Sequence, residues 1–397
     1  MLGGKEMFIG VNLQRVRTLY GYSRRELGET LNISEQAIWQ FENEITQPSF
    51  ELVTELKKLF SVKTSYFYKE HTHNDVFFIE DNVAYREADI ISRKRTLSEV
   101  EYLNTIYPIV FGLESYLSIP PISINKIRDE VLKIYHSNKI DTLVKIEKIA
   151  NIAREKLQIS NDNTDLLFKI EKSGVYVVEK NIGGKADAYS AWDKEGLVSF
   201  IILGKRKSAV RRNFDLAHEL GHLLMHYNME FISSDKKEYN QMEAEANQFA
   251  SFFLLPKEEF KKDFLKIGHK SNPTSFINLK LKYNVSIQAL EMRAFKLKLI
   301  SPQQNSYFYR QIARMNYRLE EPLDKEMVIK KPGKIRSIMN LVFKNELISF
   351  AEFQEKFGIE TNYLCNLFSI DKEFFDQFNK DEVYSPYNSI LSLKRNY

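Results

Sequence analysis

The 397-residue chain reads as a multidomain, mainly α protein. It divides into an all-α N-terminal module, an α+β core of a small sheet plus one polar-faced helix, and a small helical C-terminal region. Three observations predict this. Between Phe8 and Val62, short amphipathic stretches alternate with turn residues, the rhythm of a bundle of short helices. From Val175 to Leu203, β-branched and aromatic runs are separated by turn residues, as strands are. From Phe214 to Tyr227, apolar residues recur at the helical period around two histidines one turn apart. A chain of this length exceeds one ordinary core and suggests about two or three domains.

In chain order, Asn12 to Leu19 predicts the first helix, and Ser23 caps a second over Arg24 to Leu31. After the turn Asn32-Ile33, Ser34 caps a third through Phe41, and Glu51 to Phe60 forms another. Thr64 to Asn82 reads as a linker. Val83 to Tyr116 reads as mostly helix, with Leu97, Val100 and Leu103 on one side. Pro120-Pro121 breaks the chain before helices at Ile124 to His136 and Thr142 to Leu157. Val175 to Val178, Ala188 to Trp192 and Val198 to Leu203 read as strands, with Gly183-Gly184 as a turn. In the helix that follows, Gly221 costs about 1 kcal/mol relative to Ala, which implies a close approach there. A second helical segment runs from Glu243 into Phe252, Phe253, Leu254 and Leu255 and stops at Pro256. Phe276 to Lys296 is largely helical, with Tyr283 to Leu290 as a packing element. Beyond Pro322, Ile335 to Lys344, Ser349 to Phe357 and Asn362 to Phe368 are the expected helices. The aromatic positions there, Phe343, Phe350, Phe353, Phe357, Phe368, Phe374, Phe375 and Phe378, read as core.

The chemistry concentrates in His218-Glu219-Leu220-Gly221-His222. Residues four apart on a helix share a face with Cβ atoms roughly 6 Å apart, so both imidazoles can aim at one metal ion. Glu219 then stands beside the metal without ligating it, placed to take a proton from a metal-bound water and pass it to a leaving amine. A third ligand is needed, and the second helical segment supplies it 21 residues after His222. Glu243 is expected there ahead of Glu245, which lies about 200° further around the helix. Asn247, one turn beyond Glu243, is placed to hydrogen-bond a ligand histidine. His226 extends the same helical face by one turn, where it could meet substrate or support a ligand, but reads first as a polar residue complementing the helix C-terminal dipole. Tyr227, Tyr239, His226 and Arg212 are all near enough in sequence to stabilise an oxyanion, and spacing does not choose among them.

These stretches resemble the ImmA/IrrE family of metallopeptidases. The resemblance rests on Arg211-Arg212-Asn213-Phe214 through His226, and on Glu243 through Pro256. It implies a zincin-like core in which zinc, or manganese, is held by His218, His222 and Glu243, with Glu219 as general base. It also implies proteolysis of a regulatory protein. The N-terminal helices resemble the XRE family of helix-turn-helix domains, with Leu27, Ile33, Ile38, Phe41 and Leu56 at core positions and Glu42 after the recognition helix. That resemblance implies operator DNA as a partner, read by a homodimer. Ser34, Glu35, Gln36, Trp39 and Gln40 would face the bases, while Arg15, Arg24 and Arg25 suit phosphates. Two positions depart from the family pattern: Gly28 replaces the usual Ala, and Glu44 the usual Gly. Met1 to Glu70 holds nine basic and nine acidic residues, a weak electrostatic footprint for a nucleic-acid binder. A helical module kept for protein contacts is the competing reading.

The expected domains are a helix-turn-helix domain over 1–68, a helical linker over 69–140, a metallopeptidase over 141–320 and a C-terminal domain over 321–397. A net charge of +4 says little about partners. The single cysteine, Cys365, excludes an internal disulfide framework and suits a reducing cytoplasm. No apolar run approaches the roughly 18 residues needed to span a bilayer, so no membrane association is expected. The function these features point to is a cytoplasmic DNA-binding regulator whose zinc endopeptidase cleaves a repressor-like protein, or itself, in a stress or phage response. The alternative is a non-catalytic metal- or peptide-sensing regulator, or an antitoxin-like repressor, that keeps the peptidase fold without turnover.

Overall fold

The computed structural model describes residues 7–70, 77–80, 83–85, 93–137, 141–182, 188–205, 207–227 and 236–378. The expected turn at Gly183-Gly184 lies outside them. The chain divides into two compact units, one of residues 1–75, 97–118 and 336–397, the other of residues 76–96 and 119–335.

The first unit starts with α1 (Gly10–Leu19), α2 (Arg24–Thr30), α3 (Glu35–Glu42) and α4 (Phe50–Phe60), and a 3-10 turn at Thr64–Phe67. Local chemistry sets the helix starts. Ser23 closes a capping box with Glu26, and the Ser34 and Ser49 hydroxyls accept from Ala37 and Leu52 amides. Leu27, Ile38, Phe41 and Leu56 are buried as expected, and Ile33 is half-buried. Both departures from the family pattern have a structural role. A Cβ at Gly28 would stand 2.7 Å from the Ile33 carbonyl oxygen, so the α2–α3 turn is too tight for alanine there. Glu44 takes a left-handed φ of 59°, and its carboxylate accepts from the Gly10 amide at 3.0 Å.

Three C-terminal helices, α16 (Phe350–Phe357), α17 (Thr361–Phe368) and α18 (Lys372–Asp376), belong to this same unit, as do most of α5 (Arg93–Glu114) and α15 (Lys334–Lys344). The joins are specific. Val62 bridges Ile359, Lys63 N–H donates to Gly358 O, Tyr102 Oη donates to Leu367 O, and a Cβ on Gly112 would meet Phe357 at 2.9 Å. The contact units therefore cut across the boundaries expected at residues 68 and 320. The apolar faces of α5 and of the C-terminal helices find their partners on the helix-turn-helix core.

The second unit adds α6 (Ile124–Tyr135), α7 (Thr142–Leu157), α8 (Leu166–Lys172), α9 (Ala209–Met225), α10 (Lys236–Leu254) and α11 (Lys257–Phe264). It also adds α12 (Ile277–Tyr283), α13 (Ile287–Lys296) and α14 (Pro302–Arg314). Its sheet has the order β1-β3-β4-β2, with β1 at Val83–Tyr85, β2 at Tyr176–Lys180, β3 at Ala188–Trp192 and β4 at Ser199–Gly204. Pairs β1–β3 and β3–β4 are antiparallel, and β2–β4 is parallel. The strand at Val83–Tyr85 replaces the helix expected from Val83, since it pairs with β3 rather than following its own periodicity.

Helix α9 lies on this sheet, with Trp192 Nε1 donating to Leu223 O at 2.9 Å. At Gly221 the α10 side chain Phe249 would stand 2.9 Å from an added Cβ, which is the close approach its presence implied. The segment after α14 also stays with this unit. Lys280 is fully buried between Glu321 and Asp324, and Glu321 accepts from the Ile287 and Gln288 amides at the start of α13.

Candidate metal centre

Helices α9 and α10 bring three side chains to one point. His222 Nε2 stands 3.0 Å from His218 Nε2 and 3.2 Å from Glu243 Oε1, and His218 Nε2 is 3.5 Å from Glu243 Oε2. Among the described residues this is the group of histidine and carboxylate side chains with metal-ligating geometry. Zinc–nitrogen and zinc–oxygen bonds of about 2.1 Å in a tetrahedron set ligand-to-ligand distances of about 3.4 Å. The three observed separations bracket that value, so the donor set fits such an ion.

The outer hydrogen bonds orient both rings. His218 Nδ1 lies 3.2 Å from Asn247 Oδ1, an acceptor, so the ring donates there and keeps the Nε2 lone pair for a metal. Asn247 is therefore where the sequence placed it. His222 is oriented by a longer relay, of which the sequence offered only the His226 link, as its second choice. Glu245 Oε2 is 3.2 Å from His226 Nε2, and His226 Nδ1 is 2.9 Å from His222 Nδ1. An ionised carboxylate only accepts, so His226 donates from Nε2 and accepts at Nδ1. His222 must then donate from Nδ1, which again leaves Nε2 for a metal.

His226 is thus a buried link in this relay, where dipole complementation at a helix end was expected. Glu245 does lie away from the metal point, as the helical angle required. It is nonetheless 5% exposed and also accepts from Tyr135 Oη at 2.6 Å and Gln241 Nε2 at 2.9 Å. The i, i+4 step from His222 to His226 was the available signal for this relay.

Electrostatics agree with that assignment. Burial holds His222 and His226 below the usual imidazole range, so both stay neutral, the form that can ligate. Burial would raise Glu245, but hydrogen bonds from His226, Tyr135 and Gln241 outweigh it and hold the group at about 2. Burial opposes ionisation of Glu243 as well, and its contacts with His218 and His222 overcome that and keep it well below the usual carboxylate range.

Glu219 is 1% exposed, and Ser190 Oγ donates to its Oε2 at 2.8 Å. Of the four oxyanion candidates, Arg212 is held in a buried ion pair with Glu179. Tyr227 packs edge-on against Trp192 beneath the Arg128 guanidinium, and His226 serves the relay. Tyr239 lies one turn before Glu243 on the same face of α10.

In the helix-turn-helix unit, Ser34, Glu35, Gln36 and Trp39 are exposed and Gln40 is half-buried, so α3 presents a polar face. Arg24 pairs with the buried Glu42 at 2.5 Å, as does Arg17, and Arg25 pairs with Glu29 one turn on. Arg15 turns inward, 4.0 Å from Glu101.

Residues 170–295 match the family model described as IrrE N-terminal-like domain, a metallopeptidase family, and residues 13–67 match the one described as helix-turn-helix. The chain joins these two domains. The IrrE-like stretch contains all of β2, β3, β4, α9 and α10, hence the whole histidine–glutamate cluster. A solved Mycobacterium tuberculosis transcriptional regulator is similar at 16% identity over 46% of this chain and 54% of its own, with a TM-score of 0.26. The chain thus spans about half the length of that structure, and the likeness is too slight to bear on fold or function. No curated protein matches the chain. Among the described residues, no helix is long and apolar enough to cross a membrane.

Proposed function

We propose that this protein is a DNA-binding transcriptional regulator carrying a zinc-dependent endopeptidase, which cuts a repressor-like regulatory protein or the chain itself inside the cell in a stress or phage response. The observation that carries this reading is the gathering of two imidazole nitrogens and the Glu243 carboxylate at near-tetrahedral spacing, with the buried Glu219 next to His218 in the same helix. His218, His222 and Glu243 would hold zinc, or manganese, which would supply Lewis acidity to a water and to the scissile carbonyl. Glu219 would take the proton of that water and hand it to the leaving amine, while the Ser190 hydroxyl holds the carboxylate through Oε2. The Asn247 contact and the Glu245–His226 relay hold the two imidazoles in the ligating tautomer. With Arg212, Tyr227 and His226 engaged elsewhere, Tyr239 is the candidate we assign to steady the developing oxyanion.

For the DNA, Gln36 and Gln40 on α3 each suit an adenine edge, Ser34, Glu35 and Trp39 complete the reading face, and Arg24 and Arg25 flank it for phosphates. A homodimer would set half-sites about one helical turn, roughly 34 Å, apart.

The test is to load the purified chain with zinc, follow its fragments by intact-mass spectrometry, and repeat with Glu219→Gln. We expect about one zinc per chain in both and cleavage in the wild type alone. Metal bound equally by both with cleavage by neither, whether of the chain or of an added repressor-like protein, favours the sensor reading instead.

A further inference from the structure

Strand β1 is the one member of the peptidase sheet that lies outside residues 170–295. It comes from the stretch between the helix-turn-helix domain and α5, and it pairs with β3 in the register Val83–Ala191, Ala84–Ser190, Tyr85–Tyr189.

The polarity of that pairing follows from the next hairpin. Asp193 N–H donates across to Val198 O, so by alternation the amides of Ala191 and Tyr189 also face β4. The N–H and C=O of Ser190 therefore face β1, and Ser190 and Ala84 form the hydrogen-bonded pair. Lys194 N–H, on the same side as Ser190, donates to Phe77 O at 2.8 Å, and Phe78 is buried against the Phe200 ring. Residues 77–80 and 83–85 thus follow the outer edge of β3 past the residue whose hydroxyl holds Glu219.

That edge is where a peptidase of this construction needs its substrate. A peptide presented for cutting must be extended, and adding it to a strand edge satisfies its backbone and aligns it at once. The β3 edge is the one beside the general base, and β1 covers it. Access is restricted in the same place, since His218, Glu219 and His222 are each at most 4% exposed.

We propose that the outer edge of β3 is the docking edge for an extended substrate peptide, and that the linker strand Val83–Tyr85 is its intramolecular occupant, keeping the peptidase latent until it is displaced. This rests on the peptidase reading above. A three-residue edge strand is short, and exchanging it for another strand conserves backbone hydrogen bonds, so the strand competes rather than locks. Being tethered, it does so at an effective concentration of about millimolar, which a free peptide must overcome.

The experiment uses the full chain with Glu219→Gln, so that nothing is cut, and a synthetic peptide of residues 79–89 as probe. Hydrogen exchange over 188–192 and peptide binding by fluorescence anisotropy are measured with and without Ala84→Pro. That change removes the amide facing Ser190, whereas Val83→Pro removes an outward amide that an edge strand tolerates and serves as control. The expected result is faster exchange over 188–192 in Ala84→Pro, peptide affinity about tenfold or more tighter, and protection restored by the peptide. Phe78→Ser, which loosens the anchor without touching the strand, should act in the same direction and covers the case in which Ala84→Pro does not fold. Equal affinity with and without the release variants, or binding that leaves exchange over 188–192 unchanged, overturns the proposal. Neither readout needs turnover, so that failure leaves the peptidase reading standing, and absence of bound zinc would fail that reading alone.

Discussion

The candidate metal centre and the exposed face of α3 are both built from polar residues on helices, and they differ in where their partners are. The first is closed on itself: His218, His222, His226 and Glu245 are buried, and each has a named partner within the unit. The second presents Ser34, Glu35, Gln36 and Trp39 to solvent, while nearby arginines are drawn into pairs with Glu42 and Glu29. A buried polar group must find its hydrogen bonds inside the fold, so its neighbours reveal its role. A surface that reads an external partner shows only what is free to meet it.

The sharpest way to break this comparison is at the ligands. Glu243→Ala should reduce metal content from about one ion per chain to near none, measured by mass spectrometry. Glu245→Ala and His226→Ala should keep the metal but weaken its affinity by about 10–100-fold in competition with a chelating dye. Wild-type affinity in both would mean that the relay merely satisfies buried groups. On the recognition helix, Gln36→Ala should cost about 1–3 kcal/mol against a selected operator in gel shifts and relax the preference at one base. A loss uniform across unrelated sequences would show that α3 does not read bases.

A smaller effect is expected at Gly221→Ala, where the new Cβ meets Phe249. Overpacking of about 1–3 kcal/mol, partly offset by about 1 kcal/mol of helix propensity, should leave a net loss near 1 kcal/mol in urea unfolding. An increase in stability would show that α10 yields there. The smallest effect concerns pH in the helix-turn-helix unit. Burial, opposed by the Arg15 charge, raises Glu101 to about 7. A raised folded-state pKa means stability that is present below about 4.5 and is lost as pH rises through about 7. Glu101→Gln should therefore lose less melting temperature between pH 5 and pH 8 than the wild type does, and parallel slopes would count against it.

Much of the site was legible because helical spacing is local. His218, Glu219 and His222 follow from a four-residue step, Glu243 from the next amphipathic run, and Asn247 from one turn beyond it. Serine caps located α2 and α3, and apolar spacing located α1, α4 and the C-terminal helices. The relay through His226 was less legible, since a histidine at a helix end fits several roles until Glu245 is seen opposite it.

Periodicity and capping by themselves determined most of the helices and the three central strands, because those depend on neighbours within a turn or a pleat. Only the tertiary structure decided that Val83–Tyr85 is a strand, that residues 336–378 pack with the helix-turn-helix core, and that Glu245 is linked to His222 through His226. Each of these is a pairing between segments distant in sequence. Strand edges and apolar faces accept many partners, and the choice among them is made by packing and hydrogen bonding in the folded chain.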